Sequence, residues 1–367
     1  MNGVKFLLPF LALTAELFMA TNALATSSPQ RVSIVTGANG YVGREIVHTL
    51  LKEPNQQQVL CLVRPARISE EQDYWKASLR VKVLPYDMLD DGCTLEHALD
   101  CAFEGNPNEC CVYHVASVFG PTEDHIATAL QNVKGTEQVV NSIAKYKNCK
   151  LVLTSSMAAV RGTGQEPLNG KTYTYRDWNT LSKLGDNWGA SYQWSKAESE
   201  RRAWDLAKAL DVPMVALCPS FVFGPPSDGM DSKSYSITLV SQWVRGESPV
   251  QSRLCVDIRD VAKAHVASGT LPSAIGNRYI VSSESRIPSQ DAAEALRKVA
   301  QETGLGDPDK ISFDADFSGG AIPIGEPEVE AVDRLRNDLG GLELRPVEET
   351  MADMGRALLQ MTIASTL

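Results

Sequence analysis

Between residues 31 and 218, short runs dominated by Val, Ile, Leu and Cys alternate with longer stretches of helical period. The apolar runs cover 31–36, 58–63, 79–84, 110–115, 150–154 and 212–218. Helical spacing covers 42–52, 94–103, 127–146 and 191–210. Strands this uniformly apolar must be buried on both faces, and strands separated by helices connect in parallel. The pattern predicts an α/β fold built on a doubly wound parallel sheet. From about Gly224 the pattern changes. Pro and Gly become frequent, helical stretches recur at 234–245, 290–303 and 347–361, and one more apolar run at 277–281 would complete the sheet. The expected division is therefore a main domain over 30–225 and, over 226–367, mainly a smaller lobe above the sheet's carboxyl edge.

Composition narrows the class. The chain has 367 residues, with 43% hydrophobic and 22% charged positions, as in an ordinary globular protein with a full core. Its net charge is −10 and it has no Lys/Arg run, which argues against a nucleic-acid partner. The first 25 residues stand apart. Lys5 precedes apolar runs at 6–13 and 17–20, and Ala23-Leu24-Ala25 has the small-x-small form of a cleavage site. This reads as a secretory signal peptide over 1–25, with an uncleaved anchor as the alternative. The mature chain would carry no membrane span and would reside in the endoplasmic reticulum or an organelle reached through it. Cys61, Cys111, Cys149, Cys218 and Cys255 lie in or beside apolar runs and read as small buried hydrophobes. Cys110 and Cys111, being adjacent, must face opposite sides of a strand. No CxxC pair occurs, so no metal site is expected.

Residues 36–43 read T-G-A-N-G-Y-V-G, directly after one apolar run and directly before an amphipathic helix. Gly37 permits the sharp turn, Gly40 lets the backbone approach a pyrophosphate, and Gly43 lets the helix pack on the strand. The helix start at Tyr41 offers free N–H groups to phosphate. This is the dinucleotide-binding turn of a Rossmann sheet, with Asn39 and Tyr41 among its contacts. An NAD site places an acid at the end of the second strand. Here the strand ends Val63-Arg64-Pro65-Ala66-Arg67, and Arg64 falls where a 2′-phosphate would sit. NADP(H) is the expected cofactor. Asp87, after the third strand, is either an adenine contact or a turn residue; Met88, Val115, Ala116, Ser117 and Pro219 complete the expected cofactor edge.

Tyr192 and Lys196 are four apart in a predicted helix and share one face. A phenol is a poor acid–base at neutral pH, and a neighbouring ammonium, with the positive charge of oxidised nicotinamide, would lower its pKa; Lys196 could also hold the nicotinamide ribose. Ser155 and Ser156 lie just past the strand at 150–154, where ligands bind in open α/β sheets. A hydroxyl there can support charge on a reacting carbonyl oxygen. Asn132, in the helix over 127–146, could hold a water or the lysine.

These motifs, with H-V-A-S at 114–117, T-S-S-M at 154–157 and C-P-S-F-V-F-G-P at 218–225, resemble the extended short-chain dehydrogenase/reductases over about residues 30–285. The Val63-Arg64 ending, the serine-to-tyrosine spacing and K-A-E-S-E-R-R-A-W at 196–204 are most similar to the dihydroflavonol 4-reductase and cinnamoyl-CoA reductase branch. The resemblance implies NADPH, a Ser156/Tyr192/Lys196 triad assisted by Asn132, and reduction of a small carbonyl substrate. It implies Ser156 rather than Ser155, since the family's serine precedes a small or apolar residue. The chain departs from the plant enzymes over 162–189 and after Pro226, regions that would touch substrate. Three rival readings remain: a nucleotide-sugar epimerase or dehydratase, a 3β-hydroxysteroid-type dehydrogenase, and a non-catalytic NADP-binding scaffold. Oligomeric state is not legible. Among other conspicuous residues, Trp178, Trp188 and Trp194 flank Tyr192 and read as packing, with a pocket for an apolar or aromatic substrate as the alternative, and Asp260 reads as the cap of a helix after V-D-I-R.

Overall fold

The computed structural model describes residues 31–104, 109–228, 230, 234–315 and 329–364. The expected signal peptide therefore lies outside the described residues. The first half runs β1 (Arg31–Thr36), α1 (Tyr41–Leu50), β2 (Gln56–Val63), α2 (Ile68–Trp75), β3 (Val81–Pro85), α3 (Cys93–Phe103), β4 (Glu109–His114), α4 (His125–Ile143) and β5 (Cys149–Thr154). It continues with a single turn, α5 (Met157–Val160), then α6 (Trp188–Ala209) and β6 (Met214–Pro219). The rest comprises β7 (Phe221–Phe223), α7 (Tyr235–Val244), β8 (Cys255–Asp257), α8 (Ile258–Thr270), β9 (Arg278–Val281), α9 (Ser289–Thr303), α10 (Val329–Asp338) and α11 (Val347–Ala364).

Seven strands form one parallel sheet in the order β3-β2-β1-β4-β5-β6-β9. The order reverses between β1 and β4, and a crevice opens there at the strands' carboxyl ends. Strand residues alternate between two cores, as the period of two requires. Ile34, Leu60 and Val112 pack under α3, α4 and α6, while Val35, Cys61 and Tyr113 pack under α1 and α8. Cys110 and Cys111 separate onto these opposite faces. The run at 277–281 does supply the outermost strand. A third core joins α7, α9 and α11 over the small β7–β8 pair, through Trp243, Leu296 and Met354. Among the described residues, no helix is long and apolar enough to cross a membrane.

Three details depart from the sequence expectation. The helix of Tyr192 starts at Trp188, because the Asn187 side chain accepts a hydrogen bond from the Ala190 amide and caps it earlier. The cap of α8 is Asp257, whose carboxylate accepts from the Arg259 amide at 2.8 Å. Asp260 is instead buried in the first turn and ion-paired to Arg345. Finally, α2 was not expected: its short, acid-rich sequence shows little apolar period, and Glu71 is buried only because Arg44 of α1 pairs with it.

Candidate active site

A cleft of about 1210 Å³ runs along the carboxyl edge of the sheet. Gly37, Asn39, Gly40, Tyr41, Gly43, Arg64, Asp87, Met88, Val115, Ala116, Ser117, Ser156, Tyr192, Lys196 and Pro219 all line it. Of the residues singled out from the sequence, Asn132 does not. It borders a second cavity of about 10 Å³, shared with Lys196, Thr154 and Ser155.

The glycine loop fits a dinucleotide. Gly37 has φ +66°, a conformation that favours glycine, and any methyl group on Gly43 would overlap the Gly37 carbonyl oxygen. At the α1 N-terminus, Gly40 offers no side-chain cap, and the first turn carries no acid. The amide ends and positive dipole of α1 therefore face the cleft without a protein anion to satisfy them. At the end of β2, Arg64 is exposed, lines the cleft and forms no ion pair among the described residues. Arg67 lines the same end and contacts Glu70 at 2.7 Å. Asp87 serves its own turn, accepting from the Leu89 amide at 2.8 Å, while also bordering the cleft.

The two serines after β5 diverge. Ser155 turns away from the cleft centre and donates to the buried carboxylate of Glu200 at 2.5 Å. Ser156 caps α5, accepting from the Ala158 amide at 3.1 Å, and its hydroxyl faces Tyr192. Ser156, the serine chosen from the family pattern, is the one whose hydroxyl reaches Tyr192. Lys196 is only 8% exposed, and its Nζ donates to the Thr154 carbonyl at 3.0 Å. That contact corrects one expectation. Burial pushes the Tyr192 phenol up to about 12, eased only by the Ser156 hydroxyl, with no lowering by Lys196. Burial likewise brings Lys196 down to about 8, opposed by Cys218 and Glu200. Desolvation outweighs the charge of an ammonium that points at a carbonyl rather than at the phenol.

Asn132 pins the turn after β4 from both sides. Its Oδ1 accepts from the Val118 amide at 2.8 Å and its Nδ2 donates to the Val118 carbonyl at 3.0 Å. The small cavity beside it and Lys196 has the size of a single water.

Sequence reasoning missed the wall opposite the glycine loop. Phe119, Trp188 and Tyr235 gather around Tyr192, with the Phe119 ring 4.6 Å from that of Tyr192 and 5.1 Å from that of Tyr235. Phe119 is 42% exposed although large and apolar, which fits a ligand-facing position. Trp188, for which the sequence offered both packing and pocket lining, is part of this wall. Arg161 and Arg286 also line this half of the cleft. Phe119, Tyr235 and Arg286 come from loops and a late helix start, with no local signal to bring them together.

An uncapped glycine turn at one end of an open parallel sheet and a Ser/Tyr/Lys group at the next strand ends define a nicotinamide-dependent oxidoreductase. A family model described as male sterility protein, an NAD-binding family, matches residues 35–251. The chain belongs to that family, within the extended short-chain dehydrogenase/reductases. It is 27% identical to the NADPH-dependent methylglyoxal reductase of Saccharomyces cerevisiae over 89% of this chain and 97% of that one. It is 30% identical to cinnamoyl-CoA reductase 2 of Arabidopsis thaliana, covering 88% of this chain and 91% of that one. The crystal structure of yeast methylglyoxal/isovaleraldehyde reductase with NADPH superposes with a TM-score of 0.75 at 25% identity, over 90% of this chain and 99% of the other. A Bacillus cereus UDP-glucuronic acid 4-epimerase, at 16% identity and a TM-score of 0.66, covering 90% of this chain and 99% of its own, shares the fold.

Proposed function

We propose that this chain is an NADPH-dependent reductase of small carbonyl compounds, with Tyr192 as the proton donor. The observation that carries the reading is the convergence of Ser156, Tyr192 and Lys196 on the cleft whose other end is the glycine loop. Residues 30–225 hold the cofactor, and 226–367 contribute mainly to the substrate side. Gly37, Asn39, Gly40, Tyr41 and Gly43 receive the pyrophosphate, and Arg64 the 2′-phosphate. Asp87, Met88, Val115, Ala116, Ser117 and Pro219 border the rest of the cofactor. Bound NADPH supplies the hydride. Ser156 and Tyr192 hold the substrate oxygen, and Tyr192 passes its phenolic proton to that oxygen as negative charge develops there. Lys196, its Nζ on the Thr154 carbonyl, would hold the nicotinamide ribose. Asn132 fixes the turn beside the lysine and, with it, frames a water-sized cavity through which a proton can return.

The test follows loss of reduced-nicotinamide absorbance against aldehydes, ketones and acyl-CoA thioesters. Consumption with NADPH well ahead of NADH is expected. Arg64→Ala should narrow that preference by roughly 10- to 100-fold, the worth of a charge-assisted phosphate contact. Tight cofactor binding with no consumption across the panel would overturn the reductase reading.

The leader belongs to the same proposal. The apolar residues 1–25 support delivery into the secretory pathway. A fluorescent fusion of the whole chain should enter the endoplasmic reticulum and lose the segment after Ala25. A cytosolic fusion, with residues 1–25 still present on N-terminal sequencing, is the contrary result.

A further inference from the structure

Among the described residues, the two fully buried guanidinium groups, and the half-buried one of Arg345, close on carboxylates. Arg44 pairs with Glu71, Arg278 with Glu200 at 2.6 Å, and Arg345 with Asp260. Arg161 does not. It directly follows α5, lines the cleft near Ser156, and makes no side-chain hydrogen bond or ion pair among the described residues. Its Nε is sealed from solvent without a partner. The charge that faces it is another cation, Arg286, which lines the same cleft from the segment after β9. Arg286 in turn faces Arg253. The Arg253 guanidinium lies 5.4 Å from the Phe221 ring and bonds to Gln251, with Asp314 the carboxylate that acts on it among the described residues. Burial and the neighbouring Arg286 hold Arg161 below the ordinary arginine range.

Two arginines on one cleft wall, one of them half-buried and without a carboxylate among the described residues, form a site that an anion would complete. The cofactor's phosphates do not reach it. The glycine loop follows β1 and Arg64 follows β2, whereas Arg161 follows β5 and Arg286 follows β9. β2 and β5 are three strand spacings apart, roughly 14 Å, with Ser156 and Tyr192 on the β5 side. The arginines therefore belong to the substrate half, facing the aromatic wall of Phe119, Trp188 and Tyr235.

We propose that Arg161, backed by Arg286, binds an anionic oxygen group of the substrate. The preferred substrates are then oxo compounds that join an apolar or aromatic body to a carboxylate or phosphate. The proposal rests on the reductase reading and names the substrate class of that same site.

The experiment compares an aromatic oxo acid, its methyl ester and an oxo phosphate of similar size with the NADPH-loaded enzyme. The acid or the phosphate should exceed the ester in kcat/KM by roughly 10- to 100-fold, mostly through KM. Which of the two leads identifies the anion. Arg161→Gln should collapse the ratio toward one, and Arg161→Lys should restore part of it. An ester reduced as well as both anions, or a ratio unchanged in Arg161→Gln, overturns the proposal. Calorimetry separates this from failure of the reductase reading. The corresponding hydroxy acid should bind the NADP+-loaded protein more tightly than its ester, and lose that advantage in Arg161→Gln. That result upholds the anion site even if no compound is reduced. Equal binding of acid and ester by the wild-type protein overturns it.

Discussion

Tyr192→Phe is expected to lower kcat for carbonyl reduction by roughly 10³-fold while NADPH binding stays within a small factor of wild type, as for loss of a general acid. The side chain lies in the cleft with the Ser156 hydroxyl against it, and burial has pushed its phenol up to about 12. At neutral pH the group is therefore fully protonated, the form a reductase needs. The alkoxide that forms as hydride arrives is a stronger base still, so proton transfer to it remains downhill. Phenylalanine keeps the ring and its contact with Phe119 at 4.6 Å but has no proton to give.

Lys196 adds a pH signature to the same variant series. Burial lowers its ammonium to about 8. A lysine is charged below its pKa, so the ammonium that would hold the cofactor ribose is present at pH 7 and lost as pH rises through about 8. Reduction should be flat below that point and decline above it, and Lys196→Met should be slow and lack the break. A Tyr192→Phe enzyme with a tenth or more of wild-type kcat, or a wild-type profile flat through pH 9, would remove these two residues from the chemistry.

Much of this site could be read directly from the chain because its parts are local. The glycine turn needs only a strand, seven residues and a helix, and Tyr192 and Lys196 share a face by helical period alone. Ser156 follows its strand by two residues. Topology also followed from pattern, since β1, β2 and β4 are apolar on both faces and only a doubly covered sheet accepts that. What escaped was non-local or short. The β7–β8 pair has three residues per strand, too few for a period. The aromatic wall joins Phe119, Trp188 and Tyr235 across more than a hundred residues of sequence. Arg161 is conspicuous only once burial shows that it has no carboxylate partner among the described residues. The electrostatic expectation for Tyr192 failed for a related reason. Spacing places an ammonium nearby but cannot say that it points at the Thr154 carbonyl, nor how dry the site is.

Glu200 illustrates the same limit with a larger consequence for stability. In sequence it is one more acid on a charged helix. In the fold it is fully buried and paired with Arg278 of β9, itself 7% exposed, at 2.6 Å. The carboxylate also accepts from Ser155 at 2.5 Å and from the Trp204 indole at 3.2 Å. Arg278 goes on to donate to the carbonyls of Tyr175 at 3.0 Å and Asp177 at 2.5 Å, while its guanidinium lies 3.9 Å from the Trp178 ring. One ion pair thus ties the outer strand, the Tyr192 helix, the end of β5 and the 162–187 segment. Glu200→Gln would leave the Arg278 charge buried without a counterion, at a cost of about 3–5 kcal/mol. For a chain of this size that corresponds to a Tm lower by roughly 4–7 °C. Glu200→Leu with Arg278→Met should regain part of the loss, because an apolar pair carries no uncompensated charge. Recovery stays incomplete, since the two carbonyls lose their donor. Ser155 would lose its acceptor one residue before Ser156, so kcat should fall in the double variant even after stability returns. A Glu200→Gln protein melting within about 1 °C of wild type, an effect below roughly 1 kcal/mol, would mean the pair is solvated and does not organise the site.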